Sequence, residues 1–235
     1  SIPLHTTDGI YWTAELELEV PQEGMTINYS YQIEQNGIVI RKEWDSFSRS
    51  IFLSGSSRKI YRINDCWKNI PEQLYLYSSA FTEALLAHPE KENIPQRYKK
   101  GLVIKAYAPR INKDYCLAIC GNQKSLGHWD PEKAVLMSDT NFPEWQIELD
   151  ASKLKYPLEY KFILYNKQEK KADCWEKNPN RYLADPELKT NETLVISDRY
   201  AYFDIPAWKG AGIAIPVFSL KSEKSFGVGD FGDLK

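Results

Sequence analysis

The chain lacks the features that mark several large classes of protein. Its 235 residues hold 30 Lys and Arg against 32 Asp and Glu, a net charge of −2. That balance supplies neither the basic patch of a nucleic-acid binder nor the polybasic cluster that holds a protein to an anionic membrane. No apolar run approaches the roughly 18 residues of a membrane-crossing helix, and the longest, residues 210–218, is half that length. There are four cysteines, Cys66, Cys116, Cys120 and Cys174. They are too few for a disulfide-stapled scaffold, and Cys116 and Cys120, set in an apolar stretch, read as buried free thiols. Residues 1–17 show no basic start followed by an apolar stretch, so no signal peptide is read there, and a cytoplasmic location is expected. The first residue is Ser1, in mid-pattern, so the sequence reads as a piece of a longer protein. Helical periodicity is scarce, with 78–87 as the one candidate helix.

What the chain has in excess is aromatic residues: seven Trp, fifteen Tyr and nine Phe. Indole and phenol rings pair an apolar face with a polar edge, which suits sheet cores and sugar-holding surfaces alike. Short alternating segments dominate the pattern, as half-buried strands do. One series is 11–20, 27–33, 37–41, 50–53 and 59–63, with Gln35-Asn36-Gly37 as a hairpin signal between two of its strands. A second series is 101–108, 115–120, 145–149, 158–165 and 193–196. Strands this short and regular predict β-sandwiches. Between the series, residues 88–100 are charged, hold two prolines and lack periodicity, as linkers do.

The two series read as copies. Trp12 and Trp145 lie 133 residues apart, Tyr29-Ser30-Tyr31 and Tyr160-Lys161-Phe162 lie 131 apart, and Trp44-Asp45 and Trp175-Glu176 also lie 131 apart. Ser48-Arg49 matches Asn180-Arg181, and Ile63-Asn64-Asp65 matches Ile196-Ser197-Asp198. Anchors that hold register within two residues predict a tandem repeat of one β-module, with the opening strands of the first copy outside the chain. Residues 205–235 differ in character, carrying five of the twelve glycines and one apolar run.

In the second copy, Trp129 follows a turn and Trp175 precedes a Pro/Asn loop, while Lys161 and Asn180 supply polar groups. Such a set fits a sugar platform, with indoles stacked on pyranose faces and Lys and Asn on the rim hydroxyls. About 70 Å² buried per stacked face contributes roughly 2 kcal/mol, and each rim hydrogen bond about 1 kcal/mol. After the cost of association, affinities on the order of 10 μM to 1 mM are expected. The bland alternative is that both indoles belong to the core. The carboxylate pairs Asp173/Glu176 and Glu43/Asp45 read as solvated or structural. Cys116, Cys120 and His128 lack a fourth ligand, so no metal or other cofactor is expected.

Leu126-Gly127-His128-Trp129, Pro143-Glu144-Trp145, Glu159-Tyr160-Lys161-Phe162 and Trp175-Glu176 with Asn180-Arg181 follow in order over about 100 residues. In that order the stretch resembles the starch-binding domains of carbohydrate-binding module family 20. The resemblance implies a first glucan site at Trp129, Lys161, Trp175 and Asn180, with Glu176 and Arg181 beside it. The family's second site is aromatic-rich, and Lys113 and Ser138 stand here where its tyrosines would help, leaving Tyr115 and Trp145. In the first copy Ser30 replaces the Lys and Ser48 the Asn. Trp44 and Trp145 are expected to make weaker glucan contacts, if any. The tail, Ala211-Gly212-Ile213-Ala214-Ile215-Pro216 and then Ser225-Phe226-Gly227-Val228-Gly229-Asp230, resembles the opening of the barrel in glycoside hydrolase family 77 4-α-glucanotransferases. That family's carboxylates lie beyond the first barrel strand, so no catalytic residue is assigned in this chain.

The expectation is therefore an all-β chain of two tandem immunoglobulin-like β-sandwiches followed by the first strand of a (β/α)8 barrel. Residues 1–87 form the first, incomplete sandwich, 88–100 the linker, 101–204 the second sandwich and 205–235 the barrel opening. The expected partner is an α-glucan or maltooligosaccharide, not nucleic acid or membrane. The alternatives are a glycogen-targeting arm of another enzyme and a protein–protein module.

Overall fold

The computed structural model describes residues 1–43, 49–55, 59–67, 94, 96–108, 111, 113–201 and 203. The candidate helix at 78–87, most of the linker, Trp44 and the barrel-like tail from 205 lie outside the described residues. Among the described residues the secondary structure is strands, turns and short 3-10 segments, as the alternation predicts.

The centre of the molecule is a two-layer β-sandwich. One sheet runs in the order β5-β14-β6-β10-β9, from Ile60–Asp65 (β5), Glu192–Tyr200 (β14), Lys100–Tyr107 (β6), Glu144–Asp150 (β10) and Ser138–Asn141 (β9). The other runs β12-β11-β7-β8, from Lys171–Trp175 (β12), Leu158–Asn166 (β11), Tyr115–Gly121 (β7) and Val135–Leu136 (β8), with Arg181–Leu183 (β13) also paired to β11. Strand β10 shows why this segment is a sandwich strand. Trp145, Ile147 and Leu149 point into the core while Glu144, Gln146 and Glu148 point away. They meet Leu102, Ile104 and Leu194 of their own sheet and Leu117, Ile119, Phe162 and Leu164 of the facing sheet.

Strand β6 is buried on both faces, which explains its nearly unbroken apolar run. Its second face is covered by an antiparallel ribbon of β1 (Met25–Tyr29) and β4 (Arg49–Leu53). Ile51 and Leu53 pack there against Val103 and Val195, with Met25, Ile27 and Ile63 alongside. Lys105 is the exception to the apolar run. Its ammonium is satisfied by the Ser50 carbonyl at 2.9 Å and by Glu144 at 3.1 Å. The first series thus supplies an edge strand, β5, parallel to β14, and a cover for the same sheet.

The hairpin of β2 (Gln32–Gln35) and β3 (Ile38–Lys42) turns at Asn36 and Gly37, with φ of 52° and 78°. These are the two left-handed residues that a type I′ turn needs. Residues 11–20 correct the reading of that segment as a strand. They hold only the isolated bridge His5–Thr13, and Tyr11, Trp12, Leu16 and Leu18 are exposed. The physical reason is pairing. The counterpart of this segment at an offset of 133, β10, is zipped to β6 from Glu144↔Tyr107 to Asp150↔Gly101. No described strand does the same for 11–20, and alternation without a partner strand leaves backbone groups to water.

Candidate functional site

The site is built on the outer face of the β12-β11-β7 sheet. Trp129 ends a tight turn, Lys124–Trp129, whose buried Leu126 plugs it into the core. Gly127, His128 and Trp129 carry φ of 79°, 51° and 60° in succession. For His and Trp that conformation is costly, and such strain gathers at functional positions. The turn is held in place by the His128 N–H donating to the Gln123 carbonyl at 2.9 Å and the Asp130 N–H donating to the Gly127 carbonyl at 3.0 Å. Gly127 is required twice over, since a Cβ there would also meet the Lys133 carbonyl oxygen at 2.8 Å. Asp130 follows as a cap, accepting from the Glu132 N–H and from Lys133 at 2.6 Å. The Lys133 hydrogen bond, aided by the Glu132 N–H, holds its carboxyl below the usual range.

Trp175 closes β12. Its ring centroid lies 6.1 Å from that of Trp129 with the planes at 45°, and it is 37% exposed. Two indoles 46 residues apart in sequence thus form one bent aromatic surface. Lys161 sits in β11 between the inward-facing Tyr160 and Phe162, so it points outward. Trp175 pairs with Ile163, two residues along, and shares that outer face. Arg181 pairs with Tyr160, which brings exposed Asn180 level with Lys161. Trp129, Trp175, Lys161 and Asn180 are therefore all placed on or around one face of this sheet.

Glu176 is different. It is 2% exposed, and its backbone N–H donates to the Phe162 carbonyl at 3.0 Å. Its carboxylate accepts from the Phe162 N–H at 2.7 Å, from Asn178 at 3.1 Å and from Arg181. The Arg181 guanidinium lies 4.4 Å over the Phe162 ring, a cation–π contact. Glu176 thus braces the loop that presents Trp175 and Asn180.

Trp145 is corrected by its burial. At 2% exposure, with its indole N–H donating to the Ala108 carbonyl at 3.1 Å, it is a core residue with no face for sugar. Tyr115 is also buried, at 9%, so neither remaining aromatic makes a surface near Lys113 and Ser138. Cys116 and Cys120 are buried free thiols, and His128 turns Nδ1 to the Asn122 carbonyl at 3.1 Å.

The first series repeats the brace contact by contact. The Glu43 N–H donates to the Tyr31 carbonyl at 2.9 Å, and the Tyr31 N–H donates to the Glu43 carboxylate at 3.3 Å. Arg49 binds Glu43 at 2.5 Å, lies 5.4 Å over the Tyr31 ring and pairs with Tyr29, as Arg181 pairs with Tyr160. Glu43 is therefore the counterpart of Glu176. Gln32 pairs with Lys42 where Ile163 pairs with Trp175, so Lys42 stands at the place of Trp175. This register shifts the sequence match of Trp44 to Trp175 by two residues. Asp65 adds a second carboxylate, bridging Arg49 at 3.1 Å and accepting from the hydroxyls of Tyr29 at 2.7 Å and Tyr31 at 3.1 Å. Burial, reinforced by the Asp65 charge, pushes both phenols well above their ordinary range.

Fold and surface together define a β-sandwich module with a paired-indole face. Residues 103–195 match the family model CBM_20, described as starch binding domain. The chain is also 26% identical over 250 residues to 4-alpha-glucanotransferase DPE2 of Oryza sativa subsp. japonica, an alignment covering 99% of the chain. It spans 25% of the length of that relative. Among solved structures, the family 20 module of a maltotetraose-forming amylase from Pseudomonas saccharophila STB07 is similar at 17% identity and a TM-score of 0.34, over 42% of this chain and 99% of that one. A family 15 glucoamylase from Hypocrea jecorina is similar at 20% identity and a TM-score of 0.36, over 46% of this chain and 18% of that one.

Proposed function

We propose that the chain is the non-catalytic α-glucan-binding arm of a cytoplasmic 4-α-glucanotransferase that transfers α-1,4-glucosyl units with retention. The observation that carries the reading is the Trp129–Trp175 pair, 6.1 Å apart on the sheet's outer face, with the Lys161 ammonium, which pairs with no described residue, and Asn180 beside it. Each indole offers a flat apolar area to a pyranose face, and the two polar side chains reach its hydroxyls. The arm holds a glucan near the active site of the longer protein and raises its local concentration. Likeness to a glucanotransferase along 99% of the chain favours that parent over a glycogen-targeting arm of another enzyme. The exposure of Trp175 counts against the alternative that this indole belongs to the core.

In this reading the first series is a second, degenerate copy of the same module in tandem. It keeps the Glu–Arg–aromatic brace and replaces the platform residues Trp175 and Lys161 with Lys42 and Ser30. The test is calorimetric titration of the chain with β-cyclodextrin and maltoheptaose, beside Trp129→Ala and Trp175→Ala. The expected result is binding between about 10 μM and 1 mM that is lost in both folded variants. A folded wild-type chain that binds neither glucan would overturn the proposal.

A further inference from the structure

The face that carries the indoles continues past them. Along β11 the outward positions are Ile163, Lys161 and Glu159. Trp175 is level with Ile163, Asn180 follows level with Lys161, and Tyr182 is level with Glu159. Four strand residues at about 3.3 Å each place Tyr182 about 13 Å along the sheet from Trp175. Tyr182 is 66% exposed. It lines a solvent-open cleft with Leu154, Tyr156, Pro157, Ala184 and Asp185.

Two polar groups adjoin this cleft, Tyr156 and Asp185. The Tyr156 hydroxyl is buried from solvent and has no hydrogen-bond partner among the described residues. Burial and the nearby Asp185 charge push this phenol up to about 12, so it stays protonated, a donor, through neutral pH. One Asp185 oxygen accepts from the Glu187 N–H at 2.9 Å, and the carboxylate has a second oxygen to offer. An exposed aromatic ring with a carboxylate oxygen beside it offers a pyranose a stacking face and an acceptor for its hydroxyls.

The loop that bears Tyr156 is also tied to the loop that bears Trp129. Gln123 Nε2 donates to the Lys155 carbonyl at 3.1 Å and Gln123 Oε1 accepts from the Lys155 N–H at 3.0 Å. Asn122 Nδ2 donates to the Pro157 carbonyl at 3.0 Å. The two surfaces are parts of one clamped unit, so a ligand lying on both does not have to order them.

We propose that the Tyr156–Tyr182–Asp185 cleft is an extension of the glucan platform, holding further glucosyl units of the same chain that stacks on Trp129 and Trp175. This rests on the glucan-binding reading above. It makes the module selective for chain length, because a short oligosaccharide covers the indoles and only a longer one reaches Tyr182.

The test is calorimetry of the chain with maltotriose and maltoheptaose, for wild type, Tyr182→Ala and Tyr182→Phe. At its exposure Tyr182 can be truncated without opening the core. The wild-type chain is expected to bind one maltoheptaose about tenfold more tightly than maltotriose, a difference of about 1.4 kcal/mol. Tyr182→Ala should abolish that preference with maltotriose unchanged, and Tyr182→Phe should restore it. Equal affinities of wild type and Tyr182→Ala for maltoheptaose would overturn the extension and leave the indole platform standing, as would an equal loss for both sugars. A wild-type chain that binds neither sugar would overturn the glucan-binding reading itself.

Discussion

Glu176→Gln separates a brace from a surface ion pair. The Glu176 side chain is fully buried and that of Arg181 is 13% exposed. The carboxylate also takes the Phe162 N–H at 2.7 Å and the Asn178 amide at 3.1 Å. Glutamine keeps one acceptor oxygen for the backbone and removes the charge, leaving the guanidinium over the Phe162 ring without its counter-ion. Removing one partner of a buried pair costs about 3–5 kcal/mol. The retained acceptor and the partial exposure of Arg181 reduce this to about 2 kcal/mol, roughly a 30-fold shift in the unfolding equilibrium. Arg181→Met strands a buried carboxylate and should cost more, about 3–5 kcal/mol. The double variant should cost less than the two losses added, because neither charge is then left unpaired. The control is Lys133→Ala, which breaks the exposed pair with Asp130, side chains 74% and 39% exposed, and should leave the midpoint where it is. The assay is urea unfolding of the chain, read as a change of midpoint at constant slope. A Glu176→Gln midpoint no lower than that of Lys133→Ala would refute the brace.

Three further outcomes follow from the same structure. Trp145→Phe removes the indole that donates to the Ala108 carbonyl at 3.1 Å and should cost about 2–3 kcal/mol in urea unfolding. The glucan affinity of the folded protein should not change. Gly127→Ala forces a side chain into φ 79° and against the Lys133 carbonyl oxygen. It should destabilise by about 1–3 kcal/mol and weaken glucan binding through displacement of Trp129, measured in the same titration. Burial pushes the Cys116 thiol up to about 11, so in the native protein at pH 8 it should resist iodoacetamide while exposed Cys66 reacts. The sign of the linked stability follows from the raised value. The native state holds the thiol proton after the unfolded chain has released it, so this group's contribution is present below about pH 9 and lost as pH rises towards 11.

The parts of the fold that sequence reveals are those where a side chain's direction is fixed by period alone. Strand β10 alternates Trp145, Ile147 and Leu149 with three polar residues, and the Asn36-Gly37 turn declares its own backbone. The Trp129–Trp175 pair was legible for a different reason: both adjoin turns, and a loop indole is seldom needed by a core. Trp145 shows the limit of that reading. It too adjoins a turn, yet it occupies the first inward position of its strand, and alternation read one residue further back puts it inside. Residues 11–20 alternate as well as β10 does, but pairing is a property of two segments, and period carries no information about the partner. Tyr182 escaped notice because a tyrosine in a strand edge next to Arg181 has no local signature, and its meaning comes from the register that sets it level with Glu159.

The register of the first series shows why matching by residue type went astray at the Trp. A slip of two residues along a strand leaves every side chain on its original face, so hydrophobic pattern cannot detect it, and a tryptophan two positions away attracts the match. The ion pair can detect it. A carboxylate must lie within reach of both a backbone N–H and a guanidinium, which Glu43 does with Tyr31 and Arg49 and Glu176 does with Phe162 and Arg181. That geometry has one solution per unit and puts Lys42 opposite Gln32. The brace lies under the sheet, where removing either charge is expensive. The position of Trp175 lies above it, where an indole can give way to a lysine without disturbing a core contact. Two units with the same brace can therefore share a fold and differ in whether they offer a sugar a flat surface. On the proposed reading, the outward residue opposite β11 or β2, and not the Glu–Arg pair beneath it, sets that difference.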